Sequence, residues 1–386
     1  MTHAQPDTRP ACRPRLLTLP LAMTFLVEFT SLTSFFLMLS VLPMLAAAAG
    51  AGSAGAGMMT GALLLGTVFA EVAASPGISR FGHRAVLAVG AVLLGAPALL
   101  LLPHEPQAVM VAVSFVRGIG FGLCSVTTGA LTATLLPADR RGEGLGLLGL
   151  VSGVPAVLAL PAGIWLAGHH LATAAALMAV VTGLTPLAVI RWLPGRVQEP
   201  AVGQAQRTDS TRVSRFRLPL IFAASTIAAG VLDSFLALAK GVPSNTASAA
   251  LLVSSIAATL SRWQAGRHGD RYGHARLLIP ALVVAALGMT TLLWLGTPVA
   301  IFAGMVLFGA GFGVIENATF ALLIEQQPEA RASALWNFAY DAGYGFGPAA
   351  FGLFSVRTGY PVAFALTGAL MIAVLPAALR ERRTAA

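Results

Sequence analysis

Twelve long apolar runs dominate the sequence and limit what the chain can fold into. They lie at about 17–42, 57–76, 85–102, 108–136, 145–168, 172–192, 218–239, 247–265, 277–296, 299–325, 333–356 and 361–379. A transmembrane helix takes roughly 20–25 residues, so twelve of them use about 240–300 residues and leave only short connections. The pattern predicts an all-α membrane protein with twelve transmembrane helices and no soluble domain.

The composition excludes an ordinary water-soluble enzyme. Hydrophobic residues make up 56% of the chain and charged residues only 10%, whereas soluble domains contain about 25% charged residues. The net charge is +9, but the basic residues are scattered between the apolar runs. Nucleic acid binding requires a basic patch on one solvated face, so we expect no nucleic acid partner.

The positions of Lys and Arg predict how the chain lies in the membrane. Cytoplasmic loops carry an excess of these residues. With the N-terminus inside, all but three of the 24 basic residues fall on the inner side; Lys240 and Arg357 fall outside, and Arg117 lies within a span. We therefore expect a multi-pass protein of the inner (plasma) membrane with both termini in the cytoplasm.

The chain divides into two halves that resemble each other. The predicted parts are a cytoplasmic tail at 1–16, a six-helix bundle at 17–192, a cytoplasmic linker at 193–217, a second six-helix bundle at 218–379 and a cytoplasmic tail at 380–386. Three motifs recur 191 residues later: R-F-G-H at 80–83 as R-Y-G-H at 271–274, G-I-G-F-G at 118–122 as G-A-G-F-G at 309–313, and Pro137 and Arg140 as Pro328 and Arg331. Repeats of this kind place a substrate between the halves, near the bilayer midplane.

One loop motif identifies the family that the chain resembles. Residues 266–276 read G-R-H-G-D-R-Y-G-H-A-R and fit the pattern G-x-x-x-D-R-x-G-x-x-R between spans eight and nine. With this motif and its repeated halves, the chain resembles major facilitator superfamily transporters, in particular proton-coupled exporters of drugs and metabolites. The resemblance implies two pseudo-symmetric six-helix bundles. It also implies that the motif gates the transporter through Gly266, Asp270, Arg271, Gly273 and Arg276.

The copy of this motif in the first half departs from the pattern. Ser75 and Ser79 stand where the family has Gly and Asp, and Glu71 matches the position of Arg262. The residues of this copy to which we assign a gating role are Arg80, Gly82, Arg84 and Glu71. The usual latch of this half is therefore expected to be weaker or differently charged.

Five ionisable residues inside the predicted spans are candidates for proton coupling and the substrate cavity. They are Glu28, Arg117, Asp233, Glu316 and Asp341. A charge at the bilayer centre costs at least about 2.5–3.5 kcal/mol, so each is a functional hypothesis. The resemblance implies that spans one, four, seven and ten, which carry the first four, line a central cavity. We expect Arg117 to pair with Asp233 because their depths match, and at least one of Glu28, Glu316 and Asp341 to carry a proton. The alternative for Asp341 is a buried hydrogen-bond network, and the alternative for Glu28 is a pairing within its own half.

Span eleven supplies candidate substrate contacts. Trp336, Tyr340 and Tyr344 follow at intervals of four residues and form an aromatic stripe that can bind an organic cation, although such stripes are also typical of helix packing. Asn317 and Asn337 are further candidates. The stretch G-Y-G-F-G-P at 343–348 resembles the fifth-span signature of drug/proton antiporters, although it lies in span eleven.

These features favour one function over its alternatives. The chain contains no phosphate-binding Gly-x-x-x-x-Gly-Lys-Ser/Thr loop, and its spans contain no pair of His or Cys with metal-site spacing. We expect a monomeric, non-enzymatic antiporter without a cofactor, which exports small cationic or zwitterionic amphipathic molecules by alternating access and is driven by the proton gradient. The alternatives are a proton-coupled uptake symporter for a nutrient or metabolite and, from another class, a membrane enzyme or a non-transporting receptor.

Overall fold

The computed structural model describes residues 17–101, 106–136, 141–195, 216–327 and 329–384, and this part of the chain is helical without a strand. The helices are α1 (Leu19–Ala48), α2 (Gly52–Phe81), α3 (His83–Gly95), α4 (Gln107–Leu135), α5 (Arg141–Gly168), α6 (Ala172–Val189), α7 (Arg217–Phe235), α8 (Ser244–Tyr272), α9 (Ala275–Thr291), α10 (Pro298–Gln326), α11 (Glu329–Thr358), α12 (Tyr360–Ala373) and α13 (Leu375–Thr384). The predicted tail at 1–16 and most of the predicted linker lie outside the described residues.

Twelve helical segments of the described residues are long enough to cross a membrane. Ten of them are also apolar enough by composition, and α12 together with α13 counts as one of these ten, at Tyr360–Arg383. The other two, α8 and α11, have 29 and 30 residues but carry more polar side chains. The predicted all-α membrane fold with twelve transmembrane helices is confirmed.

The repeated glycine motif explains why the two halves have the same helix packing. A Cβ atom at Gly118 would overlap the Leu63 carbonyl oxygen of α2, and one at Gly309 would overlap the Ser254 carbonyl oxygen of α8. Two residues further on, Gly120 faces α3 and Gly311 faces α9 in the same way. Because glycine lacks a Cβ, the backbones approach closely, as small residues allow in membrane helices. Helix α4 thus packs on α2 and α3, and α10 packs equivalently on α8 and α9.

The two halves are closed against each other at one end, which bears the connections α1–α2, α7–α8 and α11–α12. Here Ser53 of α2 donates a hydrogen bond to the Gly352 carbonyl of α11 at 2.9 Å. Ser248 of α8 donates to the Pro161 carbonyl of α5 at 2.7 Å. We call this the closed end. Towards the opposite end, the side chain of Asn337 on α11 is exposed.

Candidate functional site

A cavity of about 400 Å³ lies between the two halves. Helices α1, α5, α7, α8, α10 and α11 contribute to its wall. Its polar groups include Asp233, Arg262 and Glu316, and its aromatic lining is Phe36, Phe308, Phe312, Tyr340 and Tyr344. Small-molecule sites typically combine an apolar wall with a few polar groups in about 300–1,000 Å³. We call this space the central cavity.

Glu316 is paired with Arg262, which is not among the predicted cavity residues. Arg262 of α8 donates through Nη2 to Oε2 of Glu316. The Glu316 side chain is 10% exposed, whereas that of Arg262 is 48% exposed. A buried carboxylate is stabilised by such a charge-assisted hydrogen bond. Arg262 was counted with the inner loops, although its position inside the apolar run 247–265 was a signal that it lies within a span.

The aromatic stripe of α11 is continuous in the structure and connects to Asp233. The rings of Tyr340 and Tyr344 stack with centroids 5.2 Å apart, and those of Trp336 and Tyr340 lie 6.0 Å apart. The Tyr344 hydroxyl donates a hydrogen bond to Oδ2 of Asp233 on α7. Trp336 stacks on Phe222 with centroids 4.5 Å apart and is not part of the described cavity wall. Tyr340 and Tyr344 therefore face the cavity, while Trp336 packs helices together.

Arg117 lies inside the N-terminal half and does not bind Asp233. Its side chain is 0% exposed. Its guanidinium donates to the Leu94 carbonyl, to the Ser34 carbonyl at 3.0 Å and to the Ser34 hydroxyl at 3.2 Å. The predicted pairing of Arg117 with Asp233 is wrong, because similar depth in the membrane does not make two side chains face each other. The guanidinium instead connects α1, α3 and α4.

Glu28 also binds within its own half. Its carboxylate accepts hydrogen bonds from Thr128 of α4 and, at 3.4 Å, from Ser152 of α5. The side chain is half-buried and is not part of the described wall of the central cavity. Of the five membrane charges, therefore, the structure brings only Asp233 and Glu316 together at this cavity.

Asp341 lies between the halves but outside the central cavity. Its side chain is buried and is hydrogen-bonded to the side chain of Glu71 on α2. Asp341 borders a separate apolar groove between α2 and α11, which also includes Gly61 and Gly345. Asp341, a predicted cavity residue, and Glu71, a predicted gating residue, are therefore brought together in the structure.

The two asparagines do not contact the cavity in the described structure. The side-chain oxygen of Asn317 is buried without a hydrogen-bond partner among the described groups. Asn337 is exposed. Neither residue belongs to the described cavity wall, so their predicted role in substrate contact stays a prediction.

The loop motif forms a tight turn between consecutive helices in both halves. Gly82 ends α2 with φ of +83° and Gly273 ends α8 with φ of +88°, values that side chains rarely tolerate. Arg84 donates to the carbonyls of Leu193 at 2.6 Å and of Arg191 at 3.0 Å. The remaining motif residues within the described chain are Gly266, Arg271, Arg276 and Arg80; the side chain of Asp270 lies outside it. The gating role stays a prediction.

Comparison with known proteins agrees with this architecture. The model of the Major Facilitator Superfamily matches residues 24–326 and 219–386. The chain is 28% identical over 281 residues to the multidrug resistance protein MdtG of Klebsiella pneumoniae (strain 342), a match that covers 67% of each protein. The resemblance inferred from the sequence motifs is confirmed.

Solved structures of transporters share the fold. The nucleoside transporter NupG superposes with a TM-score of 0.73 at 13% identity and covers 95% of this chain and 99% of its own. A bacterial homologue of the human lysosomal transporter Spinster, in an inward-facing and occupied conformation, gives 0.75 at 14% identity and covers 94% and 96%. The chain therefore belongs to the Major Facilitator Superfamily and is a multi-pass membrane transporter of small molecules.

Proposed function

We propose that this transporter is a proton-coupled exporter of small cationic or zwitterionic amphipathic molecules. The observation that carries the proposal is the central cavity, whose charged groups are two carboxyls and one guanidinium from Asp233, Glu316 and Arg262. An organic cation is attracted by the excess negative charge and by the faces of Tyr340 and Tyr344. The similarity to MdtG, a multidrug resistance protein, supports export.

The chemistry of the two carboxyls supports antiport. A carboxylate binds a cation, and the same group loses that attraction when it is protonated. A substrate cation and a proton therefore cannot bind Asp233 or Glu316 at the same time. Release of the proton allows the cation to bind, and release of the cation allows the proton to bind. Tyr344 orients Asp233, and Arg262 holds Glu316 until a substrate competes for it.

The distribution of basic loops supports the orientation. We infer an inner-membrane protein with both termini in the cytoplasm, so that the closed end faces outward and the structure is inward-facing. Rocking of the two six-helix halves around the central cavity then exposes it to each side in turn. A single chain contains the complete cavity, which supports a monomer.

The test is transport by the purified protein in proteoliposomes with an imposed pH gradient. The panel contains a lipophilic cation such as tetraphenylphosphonium, a zwitterion, a nucleoside and a sugar. We expect accumulation of the cation on the acidic side, and its loss in Asp233→Asn and Glu316→Gln. Glu325→Gln is the matched control, because Glu325 lies on α10 and its side chain is 62% exposed.

Two results would contradict this function. Movement of a neutral solute together with protons would indicate the uptake symporter. Cation transport that both cavity variants leave unchanged would show that the central cavity carboxyls do not drive it.

A further inference from the structure

The contact between α2 and α11 ends in a pair of carboxyl groups. Along this interface, Gly57 lies against the Pro348 carbonyl, and both Gly61 and Leu64 lie against Gly345. The spacing shows that the helices run antiparallel, since rising numbers on α2 meet falling numbers on α11. Continuing away from the closed end, the next polar contact is that between Glu71 and Asp341.

Beyond this pair, the two helices expose their side chains. On α2, Val72 is 77% exposed, and on α11, Phe338 is 58% exposed. Glu71 is half-buried, whereas Asp341 is buried. The carboxyl pair therefore lies where the packed interface gives way to exposed surface, and Glu71 is the more exposed member of the pair.

A hydrogen bond between two carboxyl groups requires a proton, because a carboxylate can only accept. Two carboxylates in contact repel each other instead, and one proton shared between them removes this repulsion. The two residues belong to opposite halves of the transporter, so this proton also determines whether the halves attract or repel each other at this point.

Other charged groups on the neighbouring helices are bound to other partners. Within the spans of the described structure these are Glu28 of α1 with Thr128 and Ser152, Arg84 of α3 with the carbonyls of Leu193 and Arg191, Arg117 of α4 with Leu94 and Ser34, Asp233 of α7 with Tyr344, and Glu316 of α10 with Arg262. Near the helix ends, Arg217 of α7 pairs with Glu381, and Glu325 of α10 lies 3.8 Å from His274. Helix α3 also carries the buried His83, and α12 carries Tyr360, which packs in an aromatic cluster around Phe351. Glu71 and Asp341 are each other's ionic neighbours.

We propose that Glu71 and Asp341 form a proton-binding site, separate from the central cavity, that holds the two halves together while the proton is bound. Loss of the proton through Glu71, the more exposed member, leaves two carboxylates in contact. Because the pair lies on the side of the packed interface away from the closed end, their repulsion pushes the halves apart there. It therefore favours the arrangement in which the closed end is shut and destabilises the alternative arrangement, in which the halves approach each other at the opposite end. The existence of the site is independent of the substrate, and only its use in export rests on the proposed function.

The experiment measures the closed end directly. Spin labels are placed at Ala49 after α1 and at Arg357 near the end of α11, two exposed positions at this end on opposite halves. The native cysteines, Cys12 and Cys124, are replaced. Pulsed electron paramagnetic resonance then gives the distribution of label distances from pH 5 to pH 9 in proteoliposomes without substrate.

We expect the population with the short distance to grow as the pH rises, because deprotonation of the pair favours the arrangement in which the closed end is shut. Glu71→Gln and Asp341→Asn should each remove this pH dependence and keep the distances at their low-pH distribution, since an amide can donate to the remaining carboxylate without a bound proton. Glu325→Gln is the matched control, because it changes a carboxyl of α10 that is 62% exposed and lies outside both the pair and the central cavity, and it should retain the wild-type pH dependence.

An infrared measurement gives a second test on the same samples. A protonated carboxyl has its own C=O stretching band, and the wild type should lose part of this band as the pH rises. Glu71→Gln should lack that component.

The proposal is overturned if the wild-type distances do not depend on pH, or if both pair variants keep the wild-type dependence. Cation transport that fails alongside an intact pH-dependent closure would refute the exporter and leave the proton site standing.

Discussion

Replacing one glycine of the repeated motif tests whether close helix contacts stabilise each half. A Cβ at Gly118 would overlap the Leu63 carbonyl oxygen, whereas a Cβ at Gly129, on the same helix, meets nothing within 4 Å. Gly118→Ala therefore forces α4 away from α2, and Gly129→Ala does not. Overpacking of this kind costs about 1–3 kcal/mol, which corresponds to roughly a 5- to 150-fold change in an equilibrium constant.

The two variants are expected to change the free energy of unfolding in opposite directions. Gly129→Ala also gains helix propensity of up to about 1 kcal/mol, because a helical glycine loses more backbone entropy than alanine. Thermal unfolding of the detergent-purified protein, followed by the loss of its monodisperse peak on size-exclusion chromatography, measures the difference. We expect Gly118→Ala to unfold several degrees below the wild type and Gly129→Ala to unfold at or above it.

The second half provides an internal repeat of this experiment. Gly309 takes the place of Gly118 and would overlap the Ser254 carbonyl oxygen in the same way. Gly309→Ala should therefore lower the unfolding temperature as Gly118→Ala does. Equal unfolding temperatures for Gly118→Ala and Gly129→Ala would refute the argument that the motif exists for close packing.

Three further predictions concern other parts of the chain. Arg117→Lys should lower the unfolding temperature, because an ammonium cannot bridge the Leu94 and Ser34 carbonyls as the planar guanidinium does. An unchanged unfolding temperature would contradict the role of Arg117 in connecting α1, α3 and α4. Tyr340→Ala should raise the KM for a cationic substrate about 2- to 30-fold, as expected for the loss of a cation–π contact of about 0.5–2 kcal/mol. Trp336→Ala should lower the unfolding temperature and leave this KM unchanged. Equal effects of the two variants on KM would contradict the division of the aromatic stripe into cavity and packing residues. Gly82→Ala should cost about 1–3 kcal/mol because of the positive φ, and unaltered thermal unfolding would argue against strain at this turn.

The sequence was sufficient to predict the helices and their pairing within each half. Apolar runs define transmembrane helices because an unsatisfied backbone group in lipid is costly, and the three recurring motifs indicated the duplication. The glycines at 118–122 and 309–313 indicated where helices approach closely. All of these signals are local in the chain or repeat at one spacing, so a single sequence can show them.

The partners of the buried charges were harder to predict. Position within a span gives depth, but successive residues on a helix differ by about 100° in direction. Arg117 and Asp233 match in depth and still face different neighbours. Glu71 and Asp341 contact each other across 270 positions in sequence, and no spacing rule relates two helices from opposite halves. Arg262 was missed for another reason, because a charge near the end of a span resembles a loop residue.

Most of the membrane charges bind partners within their own half of the molecule. Arg117 and Glu28 bind groups on α1, α3, α4 and α5, so they stabilise the N-terminal half as one body. The charged groups at the central cavity, Asp233 and Glu316, are bound by residues of the C-terminal half.

Because each of these interactions lies within one half, none of them needs to break when the halves rock. The pair of Glu71 and Asp341 is different, since its two members lie on α2 and α11. A proton at the cavity changes what the transporter binds, whereas a proton at this pair changes which arrangement of the halves is stable. The two proton sites can be coupled through α11, which carries Tyr344 at the cavity and Asp341 at the pair, less than one turn apart. Such coupling requires that occupancy of the cavity alters the position of this helix.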